Sequence, residues 1–368
     1  MFDKLFNRKS VSHPKTDITK RFNLIGRVGQ GSMSKVWRAT DLQSGRPVAL
    51  KILDKEKTAK YEARFLGLNK PCEGEVALSL HHPNIVKTYE FGWTLEDEMF
   101  LVMEFVEGVG LALLVDLQNE EMKRYRLRYM IQIGEALNHF HSQRWIHRDI
   151  CPRNVMIADD KSARMIDFGL VVPDTAMFCR PGNRTGTASY MAPELIKRQT
   201  TDQRLDIFSY AVTCFEMYTK RFPWDAALTI DAVMQHINKL PMHLTELIPN
   251  VDPQIAAAIM KGLAADPALR WQNVSDMVAE FREAEARMVK AARKAAEAKD
   301  PGKAASAKSA ADSGLASAKN VAMPQASVAS DAEKVATQKR IVAQKKSGLK
   351  KRNKSSDDDI DLTEMFGA

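Results

Sequence analysis

No apolar stretch in this chain of 368 residues approaches the roughly 18 needed for a membrane-crossing helix. The first ten residues hold neither a long apolar run nor a small-residue cleavage site, so no secretory signal is expected there. Cysteine is scarce: Cys72, Cys151, Cys179 and Cys214 lie far apart and form no Cys-x-x-Cys pair. That spacing disfavours a disulfide framework or a zinc cluster and fits reduced thiols in a cytoplasmic protein. Internal repeats are missing. Aromatic residues nearly vanish after position 290, where Ala, Lys and Ser dominate, a composition that buries too little to offset its ordering entropy. An excess of one charge is also missing from the part able to fold. The formal charge is +8, but residues 290–354 carry 16 Lys and Arg against five acids. Five acids and no base follow residue 355, which leaves residues 1–289 at only +2. The high pI belongs to the tail and gives no support to nucleic-acid binding by the core.

What is present begins with a hydrophobic content of 45%, enough for a sizeable core. Residues 22–107 read as strands with one helix. Stretches 22–30 and 35–41 look like a hairpin around a Gly-rich turn, and 46–53 like a third strand after Ser44-Gly45. A helix over 73–80 is broken by His82-Pro83-Asn84, and Phe100-Leu101-Val102-Met103 suits a buried strand. From Glu121 onward helical patterns dominate, as at 127–141 and 206–218. Residues 278–299 favour continuing the last helix outward until Pro301-Gly302 stops it.

Four short strings then occur in one order. They are Lys51 in Val48-Ala49-Leu50-Lys51, His147-Arg148-Asp149 with Asn154 five residues beyond the Asp, Asp167-Phe168-Gly169, and Ala192-Pro193-Glu194. Together they fit phosphoryl transfer from ATP, and the chain resembles the eukaryotic-type (Hanks-type) protein kinase family. The resemblance covers about residues 22–281 and implies an α+β, two-lobed protein-kinase fold, with a small β-rich N-lobe and a larger helical C-lobe. Residues 1–21 are then an N-terminal extension, 282–299 a helical extension, and 300–368 a disordered basic tail with an acidic C-terminus.

The resemblance also implies roles. In Gly29-Gln30-Gly31-Ser32-Met33-Ser34, glycines let backbone approach phosphate without a Cβ in the way. Ser34 stands where the family has a third glycine and implies a stiffer loop. Val28, Val36 and Ala49 would wall the nucleotide. Met103 matches the gatekeeper, and the Glu104 carbonyl and Val106 N–H match the groups that hold adenine. Lys51 would reach the α- and β-phosphates, oriented by Glu73, with Glu75 as the second choice. Asp149 would be the base for the substrate hydroxyl, and Asn154 and Asp167 would hold Mg²⁺. His147 would pack beneath Phe168 without a catalytic role.

The segment Gly186-Thr187-Ala188-Ser189-Tyr190-Met191-Ala192-Pro193-Glu194 resembles the Ser/Thr branch, in which Thr187 contacts the catalytic Asp. Asp206 and Arg270 match two further family positions, the latter pairing with Glu194. One departure stands out: the lysine usual two residues after the catalytic Asp is Cys151 here. Arg153, two residues on, would replace its charge, or else be an exposed arginine without that role. Cys151 would be reactive only with a lowered pKa. Arg148 suggests control by activation-loop phosphate, with Thr175 and Thr185 as acceptors, because Asn183 occupies a common phosphosite position.

The implied function is a cytoplasmic, ATP- and Mg²⁺-dependent protein serine/threonine kinase acting on protein substrates, autophosphorylation included. Two rivals are a pseudokinase scaffold without turnover and a nucleic-acid binder working through the tail. Phe2, Leu5 and Phe6, like Leu362, Met365 and Phe366, fall at helical spacing and offer partner docking through the termini, against frayed ends. The basic tail is a solvated tether in the first instance, with nucleic acid or an anionic membrane as a further partner.

Overall fold

A computed structural model describes residues 14–30, 33–182, 184–224, 234–235 and 237–299. Gly31, Asn183, both terminal triplets and the basic tail from residue 300 on lie outside the described residues. The chain divides into two units. Among the described residues the first runs to Met288, and the second begins at Val289 and is described only along the last turns of one helix.

Within the first unit, a six-stranded sheet comes first in the chain. Its strands are β1 (Lys15–Thr16), β2 (Phe22–Gln30), β3 (Ser34–Asp41), β4 (Pro47–Leu53), β5 (Thr88–Thr94) and β6 (Met99–Glu104). Their order across the sheet is β1-β5-β6-β4-β3-β2, antiparallel except where β1 runs parallel to β5. Strand alternation divides the sheet's two faces. Val48 and Leu50 of β4 pack with Phe22, Ala39, Phe100 and Val102 on one side. Ala49 and Lys51, with Leu101 and Met103 of β6, alternate to the other, where the main core and the cleft lie.

Between β4 and β5 the chain makes two helices, α2 (Lys55–Glu62) and α3 (Glu73–Ser79), where the sequence suggests one. The reason is local. Gly67 (φ +79°) and Asn69 (φ +51°) adopt left-handed backbone, and Pro71 cannot continue a helix hydrogen-bond ladder. Helix α3 then restarts against the sheet, with Gly74 facing Phe91. A Cβ at Gly74 would lie 2.3 Å from the Phe91 ring, so only glycine permits this approach. That contact sets the face on which Glu73 stands.

The second part of the unit is helical: α4 (Leu111–Leu117), α5 (Glu120–Ser142), α6 (Pro193–Ile196), α7 (Arg204–Thr219), then helices Leu244–Leu247, Pro253–Gly262 and Val274–Lys299. Asn119 caps α5, its side chain accepting from the Met122 N–H at 2.9 Å. Helix α7 is buried on nearly every side, including Phe208, Tyr210 and Phe215. Each fully buried side chain of that size contributes roughly 1.5–3 kcal/mol. Packing along Val274–Lys299 extends past position 281, since Ala284 is fully buried and Arg287 lies 2.6 Å from Asp252.

Two small sheets frame the loops that matter, β10-β9-β7 and β11-β8. They use β7 (Gly108–Gly110), β8 (Trp145–Ile146), β9 (Val155–Ala158), β10 (Ala163–Met165) and β11 (Val172–Pro173). The loop 147–154 is strung between β8 and β9, and Asp167 follows β10 by two residues. The buried Asn84 side chain donates to the Ala163 carbonyl at 2.9 Å and fastens β10 to the sheet-bearing half.

Candidate active site

The loop between β8 and β9 is held from below by one carboxylate. Asp206 of α7, wholly buried, accepts the His147 N–H at 2.7 Å and the Arg148 N–H at 2.7 Å, while His141 Nε2 lies 3.1 Å away. These bonds hold Arg148 in left-handed backbone (φ +69°), a conformation a non-glycine residue adopts only when its surroundings enforce it. The bend presents Asp149 upward. Its Oδ2 accepts from Asn154 Nδ2 at 2.8 Å. Its Oδ1 accepts from the Thr187 N–H at 2.9 Å and the Thr187 hydroxyl at 2.7 Å. Gly186 makes the last contact feasible: its φ is +124°, and a Cβ there would stand 2.5 Å from the Arg148 carbonyl.

A second cluster centres on Lys51. Its Nζ lies 2.5 Å from Glu73 Oε1 and 2.8 Å from Asp167 Oδ1, so β4, α3 and the turn after β10 meet at one ammonium. Burial works against the charge on Lys51, but Asp167 and Glu73 outweigh it and raise its pKa above the ordinary value. Burial raises the pKa of Glu73 despite Lys51 beside it. Asp167 is held below the usual carboxylate range: desolvation opposes this, yet Lys51 and the Gly169 N–H prevail. Glu75, the second choice as partner for Lys51, is engaged elsewhere, accepting the Cys72 N–H at 2.7 Å as a cap on α3.

Asn154 and Asp167 fit a magnesium ion. The Asn154 amide commits its NH₂ to the Asp149 carbonyl and carboxylate, which leaves its oxygen as the ligand atom. The Asp167 side chain is 37% exposed toward the cleft. One carboxylate and one amide oxygen suit a hard cation that takes its remaining ligands from phosphate and water. Among the described residues no three His, Cys, Asp or Glu side chains form a metal cage.

The proposed nucleotide wall draws on four strands, β2, β3, β4 and β6. Val36 of β3 pairs with Lys51 of β4, and Ala49 pairs with Met103 of β6. Met103 is buried, whereas Val36, Ala49 and Val106 are partly exposed. Glu104 lies at the end of β6, its N–H bonded to the Lys87 carbonyl at 2.8 Å. Gly29 pairs with Val36, Val28 is exposed, and Ser34 is buried opposite Leu53. Below the cleft, His147 is buried and lies edge-on to Phe168 at 6.3 Å and to Phe140 at 5.1 Å. Burial, ahead of the neighbouring carboxylates that oppose it, lowers its pKa, in keeping with a packing element.

Arg153 is exposed on the turn Pro152–Asn154, and its charge acts on Cys151, Tyr190 and Glu216. Cys151 is buried, and burial followed by the Asp149 charge pushes its thiol up to about 12. It is therefore not a reactive thiolate. Of the two threonines suggested as phosphate acceptors, Thr175 is exposed and Thr185 is buried. Further along, Arg270 pairs with Glu194 through two bonds of 2.7 and 2.6 Å in a dry setting.

Comparison with known proteins decides what this arrangement belongs to. A model described as the protein kinase domain matches residues 22–283. The chain belongs to the protein kinase family. It is 31% identical over 265 residues to a probable serine/threonine-protein kinase of Streptomyces coelicolor, a match covering 70% of this chain and 39% of that protein. It is 29% identical over 270 residues to the serine/threonine-protein kinase PrkC of Bacillus subtilis, covering 73% and 41%. It is 30% identical over 273 residues to PknB of Mycolicibacterium smegmatis, covering 72% and 43%. The chain thus spans about two-fifths of the length of the curated relatives it matches. No helix among the described residues is long and apolar enough to cross a membrane.

Beside these kinase-family residues stand others that sequence reasoning passed over. Met33, at the end of the Gly-rich turn, brings its methyl close to Gly169: a Cβ built there would be 3.7 Å from Met33 Cε. Tyr61 and Phe65 pack against the segment that follows Asp167. Neither has a motif around it. The weakly amphipathic Lys55–Glu62 stretch carries no signal that would have drawn attention to Tyr61.

Proposed function

We propose that the chain is an ATP- and Mg²⁺-dependent protein kinase that transfers the γ-phosphoryl group to serine or threonine hydroxyls of protein substrates, its own included. The observation that carries this reading is the arrangement around Asp149. One carboxylate oxygen is fixed by Asn154 and the other by Thr187. Asp149 positions the incoming hydroxyl and accepts its proton as the oxygen attacks phosphorus. Lys51, oriented by Glu73, exchanges its contact with Asp167 for the α- and β-phosphate oxygens. Asn154 and Asp167 would hold magnesium, which neutralises charge on the phosphates when bound. Val28, Gly29, Ser34, Val36, Ala49, Met103, Glu104 and Val106 make up the nucleotide-facing wall, and Gly31 is assigned to the same role from its place in the Gly-rich string alone. Catalysis here is chiefly positioning and charge stabilisation.

Acceptor choice rests on the relatives named as serine/threonine kinases and on the contact of Thr187 with Asp149. No observation favours a scaffold without turnover, since Lys51, Asp149, Asn154 and Asp167 are all in place. The domain is assigned to residues 22–281, with 282–299 as a helical extension and 300–368 as a basic tether. Transfer of radiolabelled phosphate from ATP to a mixed protein substrate, followed by phosphoamino-acid analysis, tests this. Phosphoserine and phosphothreonine are expected. Absence of transfer, or phosphotyrosine alone, would overturn it.

Arg153 is assigned to the γ-phosphate in place of the lysine that Cys151 displaces. Arg153→Ala should then lower kcat about tenfold while leaving the affinity for ADP unchanged, a modest effect for an exposed charge. A wild-type kcat would remove Arg153 from the catalytic group.

A further inference from the structure

We infer that Tyr61 and Phe65 are positioning residues, fastening the segment that begins at Asp167 into its substrate-ready shape through a packed clamp. The inference rests on the kinase reading above and names how that same site is held. Both residues belong to the excursion between Lys51 and Glu73, which holds the additional helix α2. Tyr61 lies in the last turn of α2, and Phe65 closes the 3₁₀ turn Ala63–Phe65 after it. They are only 6% and 4% exposed, although the stretch around them is mostly polar.

What buries them is the segment after Asp167. The Tyr61 hydroxyl donates to the Leu170 carbonyl at 3.1 Å, three residues beyond Asp167. The Phe65 ring lies 5.6 Å from Phe178, and Tyr61 and Phe65 meet edge to face at 5.4 Å. Lys70 closes the top, its ammonium 5.3 Å from the Tyr61 ring and 5.9 Å from that of Phe65. Burial lowers the Lys70 pKa, which accords with a desolvated lid. It pushes the Tyr61 phenol up to about 12, so the phenol stays a neutral donor.

Phe178 is itself anchored on its far side. Phe178 and Cys179 both donate to the Thr175 carbonyl at 3.0 Å, and Thr201 donates to the Cys179 carbonyl at 3.0 Å. The clamp therefore grips a closed turn at two points eight residues apart, Leu170 and Phe178. Asp167, which touches Lys51, lies just ahead of the first grip, and Thr187, which touches Asp149, lies beyond the second. Loosening the grip frees the segment that connects those two contacts. The proposed nucleotide contacts on β2, β3, β4 and β6 do not pass through it. The clamp should thus govern turnover and peptide binding more than nucleotide affinity.

The 368-residue chain, phosphatase-treated and carrying Phe65→Ala or Tyr61→Phe, provides the test. Phe65→Ala should lower kcat about 10²-fold and raise the peptide KM, the scale expected when reacting groups are misplaced by about an ångström. Its Kd for ADP should stay within about threefold of wild type, a difference smaller than one typical net hydrogen bond. Amide exchange over residues 170–179 should accelerate. Tyr61→Phe keeps the ring and removes one hydrogen bond, so exchange near Leu170 should quicken about fivefold. Unchanged exchange over 170–179 in both variants overturns the inference, as does an ADP affinity that falls in step with kcat. Should Phe65→Ala fail to fold, Tyr61→Phe decides alone. Should wild type transfer no phosphate, the kinase reading fails while the exchange measurement still judges the clamp.

Discussion

Asp149→Asn should reduce phosphoryl transfer by about 10²–10⁴-fold, the range for losing a general base. The substitution is nearly isosteric, and an amide oxygen would still accept from Thr187. It cannot take up a proton, however, and its NH₂ would face the NH₂ of Asn154, which now donates to Asp149 Oδ2 at 2.8 Å. Lys51, Glu73 and the β-strand wall are untouched, so ADP should bind within a few-fold of wild type. Single-turnover transfer of radiolabelled phosphate, with nucleotide affinity measured in parallel, separates the two effects. A variant as fast as wild type would remove Asp149 from the chemistry and with it the proposed mechanism.

Arg270→Ala should cost about 3–5 kcal/mol of unfolding free energy, the penalty for breaking a buried ion pair by removing one partner. Arg270 uses all five N–H donors. Two go to Glu194, and the others to the carbonyls of Ala264, Ala265 and Arg204 at 2.6, 3.0 and 3.1 Å. The guanidinium also lies over the Phe208 ring at 4.9 Å. Truncation leaves a Glu194 side chain only 5% exposed with its charge uncompensated. Arg270→Lys should rescue little, because one ammonium cannot reproduce a planar fork. Urea unfolding checks this; a loss under about 1 kcal/mol would show that the pair is not needed to hold the helical half together.

The legible part of the site is the part whose chemistry admits few substitutes. The proposed roles, an ammonium for phosphate, a carboxylate for a hydroxyl proton, and an amide and a carboxylate oxygen for a hard cation, single out Lys51, Asp149, Asn154 and Asp167 without coordinates. The two strands of the Gly-rich hairpin were readable too, because alternation and a turn mark them; they emerge as Phe22–Gln30 and Ser34–Asp41. Strand β5 (Thr88–Thr94) was not. Its half-buried aromatics show no clean alternation, and only pairing with β6 makes it a strand.

Glu73 was the first choice from sequence and Glu75 the second, and the structure has Glu73 at Lys51. Both are acids on one short helix, two positions apart and so on nearly opposite faces. Which one meets Lys51 depends on how α3 is rolled, and the close approach of Gly74 to Phe91 settles that. Cys151 is similar: its replacement of a lysine was visible, but whether the thiol is reactive depends on its burial.

The order of short motifs along the chain was enough to indicate the family and the two-part α+β plan and to single out candidate reacting groups, because local chemistry dictates residue type. Only the three-dimensional packing showed that Glu73, the first choice from sequence, does meet Lys51 while Glu75 caps α3, that Cys151 is buried, and that Tyr61 and Phe65 touch a segment more than a hundred residues distant. Those outcomes depend on contacts between residues remote in sequence, and no local pattern encodes such partners.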